Sequence, residues 1–373
     1  MTPCTPDIEN ITEILTRLVG FRTITNGPNL DMIDWVQSFL SDAGFSVTRI
    51  PSPCDTKAGL LAKFGTGDGG ILYSAHSDVV PVAGQNWSGD PFTLRQDGDR
   101  LVGRGATDMK GFLACVLAHA QRLKLSPPDR PFMIALSWDE EIGCRGIPHM
   151  IDQVIPTLGR PDLVIVGEPT EMQLCIGHKG KAAYKAICTG EAGHSALAPQ
   201  FKNALHDAAK VIDALQNVQA NVASHGPRDD AYDIAYSTIH AGKMTGGVAL
   251  NIVPEHAEID FEIRFLAADD PEQIFAQIAA KAPKDVRFEK QNAYPGFMID
   301  PSSSICEHAA QFLDIKAPMK VAFGTEAGFF AKLGLDTVVC GPGSMTADGH
   351  QPDEGVVIEQ LCKCSQYIRA LSK

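Results

Sequence analysis

Apolar residues near the start of the chain recur at helical spacing. From Asp7, a good N-cap, Ile8, Ile11, Leu15 and Leu18 share one face, and a second stretch from Asp31 carries Trp35, Phe39 and Leu40 before stopping at Gly44. Short β-branched apolar runs follow: "FSVTRI", "LLAKF", "ILYSAH", "FMIALSW" and "LVIVGE". Between two of them, "MKGFLACVLAHAQRLKL" from Met109 to Leu125 predicts a helix. Helices alternating with buried strands predict an α/β layer fold.

The pattern changes near His178. The spacing predicts a strand (Ala183 to Thr189), a helix (Ala204 to Asn217), strands (Ile234 to Ala241 and Ala257 to Phe265), a helix (Pro271 to Lys281) and a strand (Val286 to Lys290). That order, βαββαβ, is the ferredoxin-like split motif. In "EIDFEIRF", Ile259, Phe261, Ile263 and Phe265 alternate with charged residues, as a sheet covered on one face requires. After "YPGF" the helix and strand alternation returns. The pattern therefore divides the chain into residues 1–178, an insertion at 179–292, and a return to the first domain at 293–373.

Composition narrows the function classes. Over 373 residues, 32 Lys+Arg stand against 45 Asp+Glu, a formal charge of −13 that argues against nucleic acid or an anionic membrane as partner. A cationic small substrate is permitted. The ten cysteines are scattered without a C-x-x-C pair, so neither a cysteine zinc cage nor a disulfide framework is visible. No signal-like start and no apolar run of membrane-spanning length is seen, so a cytoplasmic location is expected.

One motif is set aside. "GTGDGG" (Gly65, Gly67, Gly70) has dinucleotide-loop spacing, but a strand follows it where a helix N-terminus is needed, so a tight turn is expected. No G-x-S-x-G elbow is present either. What remains is acid and imidazole at strand ends: His76 and Asp78, Asp108 before a helix, Asp139, Glu140 and Glu141, and Glu168. Each alone reads as a turn former or a solvated charge. Together, at the strand ends where open α/β sheets bind ligands, they would repel unless protonated or neutralised by a cation. Mixed imidazole and carboxylate donors suit zinc, with cobalt or manganese as substitutes. Asp78, two residues beyond His76 on the same side of the strand, can take the ring's other N–H and fix the tautomer; capping of the next turn is the alternative.

At this point the chain resembles the two-zinc aminoacylase, acetylornithine deacetylase, succinyl-diaminopimelate desuccinylase and glutamate carboxypeptidase family. "SAHSDVVP", "WSGDPF", "GRGATDMKG", "DEEIGCRG", "GEPT", "HKG", "GHSALAP", "LNIVP" and "GPGSMTADGHQPDE" run in the family's order. The resemblance implies a catalytic α/β domain, a mixed sheet flanked by helices, with an inserted ferredoxin-like lid through which a homodimer forms. It implies two Zn2+ per subunit, one on His76, Asp108 and Glu168, the other on Asp108, Glu141 and His350, and a cis peptide after Asp108. Glu140 is then the general base that moves a proton from water to the leaving amine. His194 is expected to reach the substrate carbonyl, often from a partner subunit, or else to be a lid surface histidine.

By the same resemblance Asn251 and Arg264 meet the substrate carboxylate, and Lys179, Gly324 and Thr325 line the pocket. "FGTEAGFF" followed by "VVCGPGS" is most similar to the acetylornithine deacetylase branch, which implies release of acetate from an N-acetylated amino acid. The extra residues in "ADGHQ" depart from that branch and leave the course of the loop open. Glu326 is expected to read a free side-chain amine, or else to cap a helix. The alternatives are a desuccinylase, aminoacylase or dipeptidase of the same family, or an inactive amino-acid-derivative binding dimer. An inactive relative would have lost a ligand or the base, and all are present here.

Overall fold

The computed structural model describes residues 5–315 and 317–372. Along the chain run α1 (Thr5–Gly20), α2 (Leu30–Asp42), β1 (Ser46–Pro51), β2 (Ala58–Phe64), β3 (Ile71–His76), β4 (Arg95–Asp97), β5 (Arg100–Val102), α3 (Lys110–Leu123), β6 (Phe132–Ser137), α4 (Ile151–Leu158), β7 (Leu163–Val166) and β8 (Cys175–His178). There follow β9 (Gly180–Thr189), α5 (Ala204–His225), β10 (Thr238–Gly246), β11 (His256–Phe265), α6 (Pro271–Lys281), β12 (Arg287–Tyr294), β13 (Phe297–Met298), α7 (Ser304–Ala310), β14 (Met319–Val321), α8 (Ala327–Lys332), β15 (Thr337–Val339), β16 (Gly355–Val357) and α9 (Ile358–Leu371). The described residues fold into two compact units. The first lies within Met1–Gly177, Ile299–Met319 and Thr325–Lys373, the second within His178–Met298 and Lys320–Gly324.

In the first unit the strands run in the order β1-β2-β6-β3-β7-β15-β8. The centre is parallel, β6 with β3, β3 with β7 and β7 with β15, and β1 and β2 are antiparallel at one side. Every residue of β3, β6 and β7 is buried, which requires cover on both faces. The core continues from the sheet into α1, α3 and α9 through Leu15, Leu18, Phe112, Val116, Leu361 and Ile368. A smaller antiparallel sheet, β16-β5-β4, pairs Gly355 with Val102 and so brings the end of the chain against the segment that precedes α3. The glycines of "GTGDGG" link β2 to β3, and Gly65, Gly67, Gly69 and Gly70 all have positive φ, as a tight turn demands.

The second unit follows the element order βαββαβ, its strands side by side as β10-β11-β9-β12 with every neighbour antiparallel. Ala257, Ile259, Phe261, Ile263 and Phe265 of β11 are buried in alternation, and their cluster includes Ala208, Val211 and Leu215 of α5 and Ile274 and Ile278 of α6. Tyr184 of β9 stacks on Phe275 of α6 with ring centroids 4.3 Å apart.

Several boundaries differ from the sequence pattern. Asp7 sits inside the first turn of α1, where its carboxylate receives Arg122 and Arg369, so it is not the cap. Helix α5 runs on to His225 because Val218 and Val222 continue its buried stripe. Strand β12 continues to Tyr294, paired with Lys181 across a bulge, and residues 293–298 and 320–324 fall in the second unit.

Candidate metal centre

Three parallel strands, β6, β3 and β7, end at the same rim of the sheet, and each delivers ionisable groups there. His76 is the last residue of β3, Glu140 and Glu141 follow β6, and Glu168 follows β7. Asp108 precedes α3 across a cis peptide bond to Met109, and His350 lies in the loop before β16 with φ of 61°. His76 Nε2 stands 3.1 Å from Asp108 Oδ1 and 3.8 Å from Glu168 Oε1. His350 Nε2 stands 3.4 Å from Asp108 Oδ2 and 2.8 Å from Glu141 Oε2. Two donor groups result, His76 with Asp108 and Glu168, and Asp108 with Glu141 and His350, each with its ligand atoms within 4.8 Å of one another. Asp108 belongs to both and turns one oxygen to each.

The turn after β6 is set by its own backbone. Asp139 takes a positive φ of 53°, a conformation that aspartate tolerates better than most residues. Its carboxylate is pinned by Lys57 Nζ at 2.5 Å and the Asn26 N–H at 3.3 Å. From there the N–H groups of Glu140 and Glu141 donate to Asp78 Oδ1 and Oδ2 at 3.0 and 3.3 Å. This gives Asp78 a second task beside the expected one. His76 Nδ1 lies 3.0 Å from the Asp78 main-chain carbonyl and 3.6 Å from its carboxylate, so the carbonyl fixes the tautomer while the carboxylate holds the two glutamates. Nε2 is then the ring nitrogen that faces Asp108 and Glu168.

The electrostatics test whether a cation fits. Burial pushes Glu140 and Glu141 up to about 8, and Glu168 is also pushed up by burial; the charge of Asp108 adds to each shift. Asp108 itself is lowered: burial opposes its ionisation, but hydrogen bonds from His350 and His76 outweigh that. His350 is raised to about 10 by its hydrogen bonds to Asp108 and Glu141, and His76 is raised by Asp108 and Asp78 against the effect of burial. Among the described residues, Glu141 Oε1 and Glu168 Oε1 are buried without a hydrogen-bond partner. Converging carboxylates with orphaned oxygens, and imidazoles whose protons a bound cation would displace, are the donor set a divalent cation needs, and the residues fit it.

The expected substrate residues are distributed over both units. In the second unit, Ser195 N–H donates to Asn251 O at 3.1 Å and Val253 N–H to Gly193 O at 2.8 Å, which brings His194 and Asn251, both exposed, onto adjoining segments. Arg264 donates to Tyr294 Oη at 2.6 Å and to Glu262 at 2.9 Å. Gly324 lies against the same Tyr294 ring, where a Cβ would come within 1.9 Å of Cε2. Lys179 is 3% exposed, and its ammonium is taken by the carbonyls of Ile234 and Tyr236 at 2.7 and 2.6 Å.

In the first unit, Thr325 is fully buried and its hydroxyl accepts the Ala327 N–H at the start of α8. Glu326 is 2% exposed, accepts the Ser137 hydroxyl at 2.5 Å, and burial pushes it up to about 7. Sequence reasoning passed over Lys57, Gln85, Arg104, Cys144, Tyr294 and Glu354. Arg104 and Glu354 lie within the quoted blocks "GRGATDMKG" and "GPGSMTADGHQPDE", which was the available signal.

Fold and site together define a hydrolase whose acid and imidazole ligands gather at the rim of a mixed α/β sheet. The sequence profile of peptidase family M20/M25/M40 matches residues 72–373, and the chain belongs to that family, whose members hydrolyse amide bonds in a metal-dependent manner. It is 31% identical over 335 residues to acetylornithine deacetylase of Shigella sonnei, covering 87% of this chain and 86% of that protein. To acetylornithine deacetylase of Buchnera aphidicola it is 29% identical over 364 residues, with 93% of each covered. A solved structure of an M20 family metallo-carboxypeptidase from Sulfolobus solfataricus superposes with a TM-score of 0.81 at 19% identity, over 97% of this chain and 98% of that one.

Proposed function

We propose that the chain is an amidohydrolase that removes the acetyl group from N2-acetyl-L-ornithine, giving L-ornithine and acetate for arginine synthesis. The observation that carries the reading is the pair of donor groups joined through Asp108 with Glu140 beside them, in a chain similar over most of its length to named acetylornithine deacetylases. His76, Asp108 and Glu168 would hold one divalent cation, and Asp108, Glu141 and His350 the other, with zinc as the metal that suits this donor set. Bound there, the cations would neutralise the converging carboxylates, polarise the scissile carbonyl and lower the pKa of a water.

The chain's own groups do the rest. Glu140 belongs to neither donor group, and its Oε1 accepts Cys144 Sγ–H at 3.2 Å. It accepts a proton from the attacking water and hands it to the leaving nitrogen, one carboxyl serving in both directions. Asp78 holds the backbone of Glu140 and Glu141, so base and ligand keep a fixed separation. The second unit we read as a ferredoxin-like lid and dimerisation domain that brings His194 to the substrate carbonyl from a partner subunit. Asn251 and Arg264 then bind the substrate carboxylate, a guanidinium being suited to that group. Among the described residues no helix is long and apolar enough to cross a membrane, and we expect the enzyme in the cytoplasm.

The test is release of free amine from N-acetylornithine, N-succinyl-diaminopimelate and N-acetylmethionine, with zinc supplied and then chelated. The reading predicts that kcat/KM for N-acetylornithine exceeds the others by at least about tenfold and that chelation abolishes turnover. Activity that survives chelation contradicts the metal reading. N-acetylornithine in last place contradicts the substrate.

A further inference from the structure

The two donor groups are supported very differently. His76, Asp108 and Glu168 sit at strand and helix ends with side chains only 1–4% exposed. His350 stands on a loop, at positive φ, with its side chain 49% exposed, and among the hydrogen bonds and ion pairs described its ring meets only Asp108 and Glu141. The order of the second group therefore depends on what holds that loop.

A buried strap does so. Glu354 Oε1 accepts the N–H groups of Thr107 and Asp108, both at 3.0 Å, and Glu354 Oε2 takes Arg104 Nη1 at 2.5 Å. Arg104 also donates to the Gln351 carbonyl at 3.3 Å and, through Nη2, to Gln85 Oε1, with its guanidinium 4.9 Å from the centre of the Trp87 ring. Gln85 Nε2 then donates to the His350 carbonyl at 2.7 Å. The chain of contacts thus runs from the backbone of Asp108 to the backbone of His350. Arg104 and Glu354 have side chains 1% exposed, and a buried ion pair returns little net stability after desolvation. A network placed there is better explained by what it aligns.

We infer that Gln85, Arg104 and Glu354 are positioning residues that hold the His350 loop against the Asp108 segment and so set the affinity of the Asp108, Glu141 and His350 position for a divalent cation. The inference rests on the two-cation reading above. Its selectivity is the discriminating feature: Glu354 holds Asp108, which both positions share, but Gln85 and Arg104 carry the link on to the His350 loop alone.

Titration calorimetry of Zn2+ into the metal-free full chain tests it, with His350→Ala identifying which equivalent belongs to the His350 position and thermal unfolding confirming that each variant is folded. Gln85 is half-buried, so Gln85→Ala removes the link to the loop without opening the core. Arg104→Lys keeps the charge beside Glu354 and loses the forked reach. In both, the equivalent assigned to His350 is expected to weaken by about 10- to 100-fold, and the other by less than about threefold. Unchanged affinity for both equivalents in the folded variants overturns the inference, and so does parallel weakening of both, which would mark a support of the fold as a whole. A wild-type chain that takes up fewer than two equivalents overturns the two-cation reading first and this inference with it.

Discussion

No single residue bears more of the proposed chemistry than Glu140. It lies next to Glu141 of the second candidate donor group, its backbone N–H is held by Asp78, and neither donor group includes its carboxylate. Glu140→Gln keeps the shape and removes the proton acceptor. It is predicted to lower kcat by about 100- to 10,000-fold, with KM within a few fold and zinc stoichiometry unchanged. A variant that keeps wild-type kcat removes Glu140 from the mechanism. The residues that gather into the two candidate donor groups could be picked out in the sequence because strand ends and motif order announce them. Their supports were not. Lys57 and Asp139 are 82 residues apart, Arg104 and Glu354 250, and Gln85 and His350 265, and nothing in local pattern links residues at such distances. Glu326, Lys179 and Thr325 sit in motif blocks yet turn to neighbouring hydroxyl and backbone groups, a choice made by burial rather than by motif.

Among the elements, α3 shows how packing adjusts chemistry away from the site. Its residues are buried almost all round, and His119 on it lies against Phe132 with ring centroids 5.4 Å apart. Burial, with Arg369 and Arg122 nearby, draws the His119 pKa from 6.5 down to about 4. The unfolded chain takes up a proton near pH 6.5 that the folded chain refuses until about pH 4. The stability it contributes is therefore complete above pH 6.5 and falls as the pH drops below it, by at most about 1.4 kcal/mol per pH unit. Denaturant unfolding on either side of pH 6.5 should show a shallower loss for His119→Gln than for the wild type, and equal losses would contradict the assignment. The existence of the main helices and strands was readable from periodicity; their ends followed tertiary contacts. Strand β10 begins at Thr238 and not at Ile234, since the carbonyls of Ile234 and Tyr236 are occupied by Lys179 and Ile234 is 49% exposed.

For the whole molecule, the motif order anticipated the family, and the described residues divide into two units. The reach of the second unit, which takes up residues 293–298 and 320–324, was hidden because β12 outlasts its apolar pattern. On the proposed reading, residues distant in the chain form two cation positions that share Asp108. Crystals of the full chain soaked in saturating zinc and measured at the zinc absorption edge test it most directly. Two anomalous peaks per chain are predicted, one bonded to His76, Asp108 and Glu168, the other to Asp108, Glu141 and His350, with Glu140 bonded to neither. A single peak, peaks elsewhere, or Glu140 as a ligand would contradict it.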